Sequence, residues 1–109
     1  MQKPSFEDLK NKVCVVTGGA GIIGTALSEG LAAAGIKCVI LDLDEKAAVE
    51  KASSLNRQYQ AEALGIGANV LDTNSLKEAR QKIYETYGAI DFLINGAGGN
   101  APQATTQRE

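Results

Sequence analysis

Residues 17–24 read Thr-Gly-Gly-Ala-Gly-Ile-Ile-Gly, four glycines in eight positions. Gly19, Gly21 and Gly24 have G-x-G-x-x-G spacing, and Gly18, Gly21 and Gly24 have G-x-x-G-x-x-G spacing in a second register. Glycines at such intervals permit a tight turn, a close approach of backbone to a pyrophosphate, and tight packing of a helix on a strand. The apolar run Val13 to Val16 precedes the loop and a helical pattern follows it, the context that gives the spacing meaning. The unpaired N–H groups and positive dipole end of that helix would face the phosphates. Asp42 stands eighteen residues beyond Gly24, where a carboxylate can accept hydrogen bonds from the adenosine ribose hydroxyls. Its charge would also repel the 2′-phosphate of NADP, at a cost on the order of several kcal/mol if desolvated. No Lys or Arg directly follows Gly18 or Asp42 to offset that, so these residues predict NAD in preference to NADP. A solvated carboxylate that merely caps the next helix is the alternative for Asp42, and Asp44 reads as such a cap.

Other chemistries lack their residues. The chain has no histidine, which removes His-based acid/base catalysis and the Ser-His-Asp triad. Its two cysteines, Cys14 and Cys38, lie in apolar runs and read as small buried hydrophobes, with no metal site expected. Eleven basic and thirteen acidic residues give a net charge of −2 with no dense basic run, so no nucleic-acid partner is expected. The apolar stretches are too short for a membrane span and the N-terminus is polar. No membrane partner is therefore expected, and a cytoplasmic location is.

The elements that must position the glycine loop follow from periodicity. At 109 residues, with 44% apolar and 22% charged side chains, the chain suits one globular domain. Val13–Val16 and Cys38–Leu41 are continuous apolar runs, as expected of strands buried on both faces. Between them Ile23, Ala26, Leu27, Gly30, Leu31 and Ala34 fall at helical spacing, with Gly35 placed to end the helix. A second helix is expected from about Glu45 to Asn56, with Val49, Ala52 and Leu55 on its inner face. A third strand lies within Ala61–Val70, weakened by Gly65 and Gly67. Asp72 to Ser75 can cap a third helix through Tyr87, with Leu76, Ala79, Ile83 and Tyr87 inward and Gly88 as its stop. Ile90–Ile94 is the fourth strand, with Ile90, Phe92 and Ile94 on one face. The order β-α-β-α-β-α-β predicts an α/β, Rossmann-like open parallel sheet with helices on both faces. Residues 1–109 are expected to form one partial dinucleotide-binding domain that ends after the fourth strand, leaving that strand as an open edge.

Thr17-Gly18-x-x-Gly21-x-x-Gly24, Asp42, Asn69-Val70 ahead of Asp72, and Ile94-Asn95-Gly96-Ala97-Gly98 together resemble the short-chain dehydrogenase/reductase family, from about Leu9 to Gly99. Ile22 stands where the compact branch of that family usually has its second loop glycine, a spacing closer to the extended, sugar-nucleotide branch. Asn95-Gly96-Ala97-Gly98 takes the place of the compact branch's Asn-Asn-Ala-Gly, a motif foreign to the extended branch, and favours the compact one. Asn69 stands where the family often has an Asp against the adenine amine; an Asn carbonyl could accept the same bond. The resemblance implies cofactor contacts from Gly18, Gly19, Gly21, Ile22, Ile23 and Gly24. It adds Asp42 and Leu43 after the second strand, Asn69 and Val70 after the third, and Asn95, Gly96, Ala97 and Gly98 after the fourth. It implies NAD as cofactor, hydride transfer between an alcohol and a ketone, a small-molecule substrate in the complete enzyme, and a homo-oligomer. The stretch from Asn95 to Thr106 is similar to reductases of sugar acids such as mannonate or fructuronate.

Chemistry in that family uses a tyrosine, a lysine four residues later and a serine, all downstream of this region. Here Tyr59 is followed four places on by Ala63, Tyr84 by Gly88 and Tyr87 by Asp91. No catalytic residue is assigned, and the 109 residues alone are expected to be inactive. Two other readings stay open: a non-catalytic dinucleotide-sensing module, and part of a sugar-nucleotide epimerase-like protein.

Overall fold

Seven elements alternate along residues 9–96, the part of the chain that the computed structural model describes. They are β1 (Val13–Thr17), α1 (Ile22–Ala33), β2 (Lys37–Asp42), α2 (Glu45–Tyr59), β3 (Ala63–Gly67), α3 (Thr73–Tyr87) and β4 (Phe92–Asn95). The strands form one parallel sheet in the order β3-β2-β1-β4. Cys14 lies opposite Cys38 and Phe92, and Ile40 opposite Gly65. This is the expected Rossmann-like α/β arrangement. Every residue of β1 is buried, because both sheet faces are covered. On one face Val13, Val15, Val39 and Leu41 pack with Ala79 and Ile83 of α3. On the other, Cys38 and Ile40 pack with Ala32 of α1 and with Ala48, Ala52 and Leu55 of α2.

Glycines with defined partners, more than apolar periodicity, decide which helix faces turn inward. The inner stripe of α1 is Gly24, Ser28 and Ala32, whereas Ile23, Ala26 and Gly30 of the expected stripe are exposed. A Cβ on Gly24 would lie 2.2 Å from the Gly18 carbonyl oxygen, so glycine there lets the helix sit against the loop. Likewise α2 buries Ala48 and leaves Val49 exposed. A Cβ on Gly65 would stand 2.3 Å from the Ala48 carbonyl oxygen; the missing side chain in β3 lets α2 approach that closely. Gly65 and Gly67 thus belong inside a strand. In α3, Leu76 is half exposed at 38%, while Ala79 and Ile83 are buried as expected.

The helix ends follow their caps. The Asp44 carboxylate accepts from the Ala47 N–H at 3.1 Å and begins α2. The Asp72 carboxylate accepts from the Asn74 and Ser75 N–H groups at 2.9 and 3.4 Å and begins α3. Gly88, at φ +79°, ends it. The strand β4 is shorter than expected. Asp91 meets Val13 twice, its carboxylate accepting from the Val13 N–H and its own N–H donating to the Val13 carbonyl, both at 2.9 Å, and β4 runs on from Phe92. Ile90 therefore packs on the α3 face, whereas Ile94 packs on the α1 face. No helix among the described residues is long and apolar enough to cross a membrane.

Candidate functional site

The loop after β1 is tied to β2 by backbone bonds. The Gly18 and Gly19 N–H groups donate to the Leu41 carbonyl at 2.7 and 3.3 Å, and Gly21 N–H donates to the Gly18 carbonyl at 3.0 Å. Gly18 adopts φ +64°, a conformation that favours glycine. Gly19 is buried, and a Cβ there would fall 2.8 Å from Ile40 Cγ2 and 3.0 Å from the Val16 carbonyl oxygen. Gly21 differs. Its φ of −81° suits any residue, and a Cβ would meet only the Gly18 carbonyl oxygen at an ordinary 3.4 Å. The space its side chain would occupy is open.

Gly21 is also the N-cap of α1, and no side chain caps that helix. The other two helices each begin on an aspartate. The first turn of α1 contains no acidic residue, so its N–H groups and positive dipole end are left to an external anion. The exposed Ile22, at 92%, and Ile23, at 58%, leave that end unobstructed.

Asp42 closes β2 beside this loop. One of its oxygens accepts from the Ala20 N–H at 3.2 Å and the other from the Asp44 N–H at 3.0 Å. Each carboxylate oxygen retains capacity for a second donor. At the carboxyl ends of the strands, next to Asp42, lies a cleft of about 420 Å³. Gly18 and Gly21 line it from the loop and Gly96 from beyond β4. Leu41, Asp42 and Leu43 line it after β2, and Ala68, Asn69, Val70 and Leu71 after β3. The strand order reverses between β1 and β4, and open α/β sheets bind ligands at that crevice.

Of the fourteen cofactor contacts expected from the sequence, Gly18, Gly21, Asp42, Leu43, Asn69, Val70 and Gly96 line the cleft. Gly19 and Gly24 shape the loop from beneath, and Ile22 and Ile23 lie at the open start of α1. Asn95 accepts from the Thr17 hydroxyl at 2.8 Å, and the Gly96 N–H donates to the Thr17 carbonyl at 2.8 Å, which fixes the end of β4 beside the glycine loop. Ala97 and Gly98 lie outside the described residues. Sequence reasoning missed Leu41, Ala68 and Leu71, apolar residues with no chemical signature; only their adjacency to Asp42 and Asn69 could have marked them. The Asn69 side-chain Oδ1 accepts from the Leu71 N–H at 3.0 Å, which orients the amide and leaves that oxygen a second lone pair.

The remaining candidates have structural roles. Cys14 and Cys38 are free and buried; burial pushes their thiols up to about 11 and about 12, so neither is a nucleophile at neutral pH. No tyrosine lines the cleft. Tyr59 packs against α2's core cluster, Tyr84 is exposed, and Tyr87 lies under the Lys37 ammonium, 5.4 Å from the ring centre. Burial, then the Glu62 carboxylate, raises the Tyr87 phenol. A second groove of about 390 Å³ opens at the amino ends of the strands, with Lys10, Lys37 and Glu62 in its walls. Helices α1 and α2 end there, and cations are favoured at such ends; Lys37 is paired with Glu62 at 3.4 Å. Among the described residues no cluster of His, Cys, Asp or Glu could hold a metal ion.

Comparison with known proteins agrees with this geometry. The model of the short chain dehydrogenase family matches residues 12–109. The uncharacterized oxidoreductase UxuB of Bacillus subtilis is 39% identical over 109 residues, 97% of this chain and 38% of that protein. A crystal structure of a candidate D-mannonate oxidoreductase from Haemophilus influenzae, with bound NAD, superimposes with a TM-score of 0.79 at 39% identity, over 93% of this chain and 36% of that one. The L-sorbose reductase of Gluconobacter frateurii, complexed with NADPH and L-sorbose, gives 0.78 at 28% identity, over 83% and 34%. The chain thus spans little more than a third of the relatives it matches.

Proposed function

Because the chain belongs to the short-chain dehydrogenase family, we propose that its cleft holds the adenosine diphosphate part of NAD. The chain serves as the cofactor-binding part of an oxidoreductase. The observation that carries this reading is the start of α1. Among the described helices it is the one without a capping side chain, and it opens at Gly21 onto a cleft that Asp42 borders. The missing Cβ of Gly21 and the free N–H groups of the first turn fit a pyrophosphate. Asp42 fits the ribose hydroxyls, and its charge opposes a 2′-phosphate. When bound, the nicotinamide of NAD would supply hydride transfer between an alcohol and a carbonyl compound. The expected site residues, Ala97 and Gly98 included, are part of this proposal.

The substrate proposed is a polyhydroxylated small molecule of the sugar-acid type. The resemblance of residues 95–106 to sugar-acid reductases supports it, as does the likeness to a candidate D-mannonate oxidoreductase and to an L-sorbose reductase. The catalytic side chains are proposed to come from outside residues 1–109. Assembly with further copies and a cytoplasmic location complete the reading; two free, buried thiols suit a reducing compartment. Calorimetric titration with NAD and NADP tests it. NAD should bind more tightly than NADP by about tenfold or more, and equal affinities would remove Asp42 from this role.

A further inference from the structure

Of the six asparagines in the chain, Asn95 is the one followed by glycine. An asparagine in that setting is the most open to attack by its own backbone, because the residue that supplies the attacking nitrogen has no side chain to hinder it. The fold itself keeps the pair. A Cβ on Gly96 would lie 2.9 Å from the Thr17 carbonyl oxygen and 3.2 Å from Gly24 Cα, so position 96 favours glycine. Asn95 is exposed at the end of β4 and Gly96 borders the cleft, which gives water access to both.

The two reacting groups are each bonded to Thr17, the residue opposite Asn95 in the parallel ladder. The Thr17 hydroxyl donates to Asn95 Oδ1 at 2.8 Å, and the Gly96 N–H donates to the Thr17 carbonyl at 2.8 Å. Cyclisation needs the Gly96 nitrogen to lose its proton and the Asn95 carboxamide to turn onto that nitrogen. The first breaks the bond to the carbonyl, the second the bond to the hydroxyl.

We propose that Asn95–Gly96 is a self-modification site, a deamidation site that pairing of β4 with β1 at Thr17 holds in check. When the pairing opens, the deprotonated Gly96 nitrogen bonds to Asn95 Cγ. The Cγ–Nδ2 bond breaks and ammonia leaves, carrying the proton. Water then opens the cyclic imide at either carbonyl, leaving aspartate or isoaspartate at position 95. One water is consumed and one ammonia released, with no other reactant. The isoaspartate route inserts a methylene into the backbone after β4, which takes the Gly96 N–H out of register with Thr17 and reshapes the cleft edge that Gly96 forms.

The test is incubation of the full chain at mildly alkaline pH, folded and in urea, with peptide mapping by mass spectrometry that separates aspartate from isoaspartate. In urea Asn95 should be the first asparagine to convert. In the folded chain its conversion should be slower by about tenfold or more, the order of two hydrogen bonds that must open first. Thr17→Val removes the hydroxyl and should speed conversion in the folded chain by about threefold or more, whereas Thr17→Ser should keep the wild-type rate. Each rate is taken relative to the same variant in urea. Earlier conversion of another asparagine in urea, equal rates for the folded and unfolded wild type, or equal rates for folded Thr17→Val and Thr17→Ser would overturn the proposal. Should Thr17→Val fail to fold, the contrast between folded and unfolded wild type still decides it.

Discussion

Gly21 and Gly24 sit three residues apart, as the N-cap and the third residue of α1, yet the structure assigns them opposite sensitivities. A methyl group on Gly24 would approach the Gly18 carbonyl oxygen to 2.2 Å and Gly19 Cα to 2.6 Å. Both are backbone atoms, so the helix or the loop must shift. Overpacking of this kind costs about 1–3 kcal/mol. Replacing a helical glycine by alanine would otherwise return about 1 kcal/mol through propensity, and the clash should outweigh it. For a domain of this size each kcal/mol corresponds to about 4–8 °C in Tm, so Gly24→Ala should melt several degrees below the wild type. At Gly21 the same methyl meets one atom at 3.4 Å, on a backbone any residue adopts. The loss of a glycine N-cap should cost less than about 1 kcal/mol. Gly21→Val should nonetheless abolish NAD binding, because a branched side chain fills the space proposed for the pyrophosphate. Thermal unfolding by circular dichroism, paired with calorimetric titration, separates the two effects. A Gly21→Val chain that melts near the wild type and still binds NAD normally would refute the phosphate-cradle argument. A Gly24→Ala chain of unchanged Tm would refute the packing argument.

Gly30 serves as a counter-case: it lies exposed inside α1, and a Cβ added there would meet nothing within 4 Å, so Gly30→Ala should raise stability by about 0.5–1 kcal/mol in denaturant titration. Asp42→Ala should narrow the NAD to NADP affinity ratio about tenfold; it should also lower Tm, since the Ala20 and Asp44 N–H groups lose their acceptor. Asp72→Ala removes the cap of α3 and should cost about 1 kcal/mol, read by the same titration. The Cys14 and Cys38 thiols, raised by burial from 9.0 to about 11 and about 12, hold their protons more tightly in the folded state than in the unfolded one. Their contribution to stability is therefore complete below pH 9 and declines as pH rises toward 12. Native protein should resist thiol-specific alkylation at about pH 8, and unfolded protein should react at both cysteines.

Much of this architecture was legible because its signals are local. Val13–Val16 and Cys38–Leu41 are apolar without alternation, and Asp44, Asp72 and Gly88 stand where helices must begin and end. The inner faces of α1 and α2 were not legible. They depend on Gly24 meeting Gly18 and Gly65 meeting Ala48, pairs whose members lie in different elements. Apolar periodicity points instead to Ile23 and Val49, both exposed. In the cleft, Asp42 and Asn69 could be picked out by residue type. What orients the Asn69 side chain could not, because it is a hydrogen bond from the Leu71 N–H to its Oδ1. The start of β4 was hidden in the same way, since Asp91 is joined to Val13 of another strand through both its N–H and its carboxylate.

The central claim is that the bare start of α1 and the cleft beside Asp42 form the cofactor site. Backbone amide correlation spectra of the full chain, recorded as NAD is added, test it most directly. The largest shifts should fall on Gly21, Ile22, Ile23 and Gly24, with further shifts at Leu43 and Asn69. Shifts concentrated instead around Lys10, Gly35 and Glu62, at the opposite end of the sheet, would contradict it.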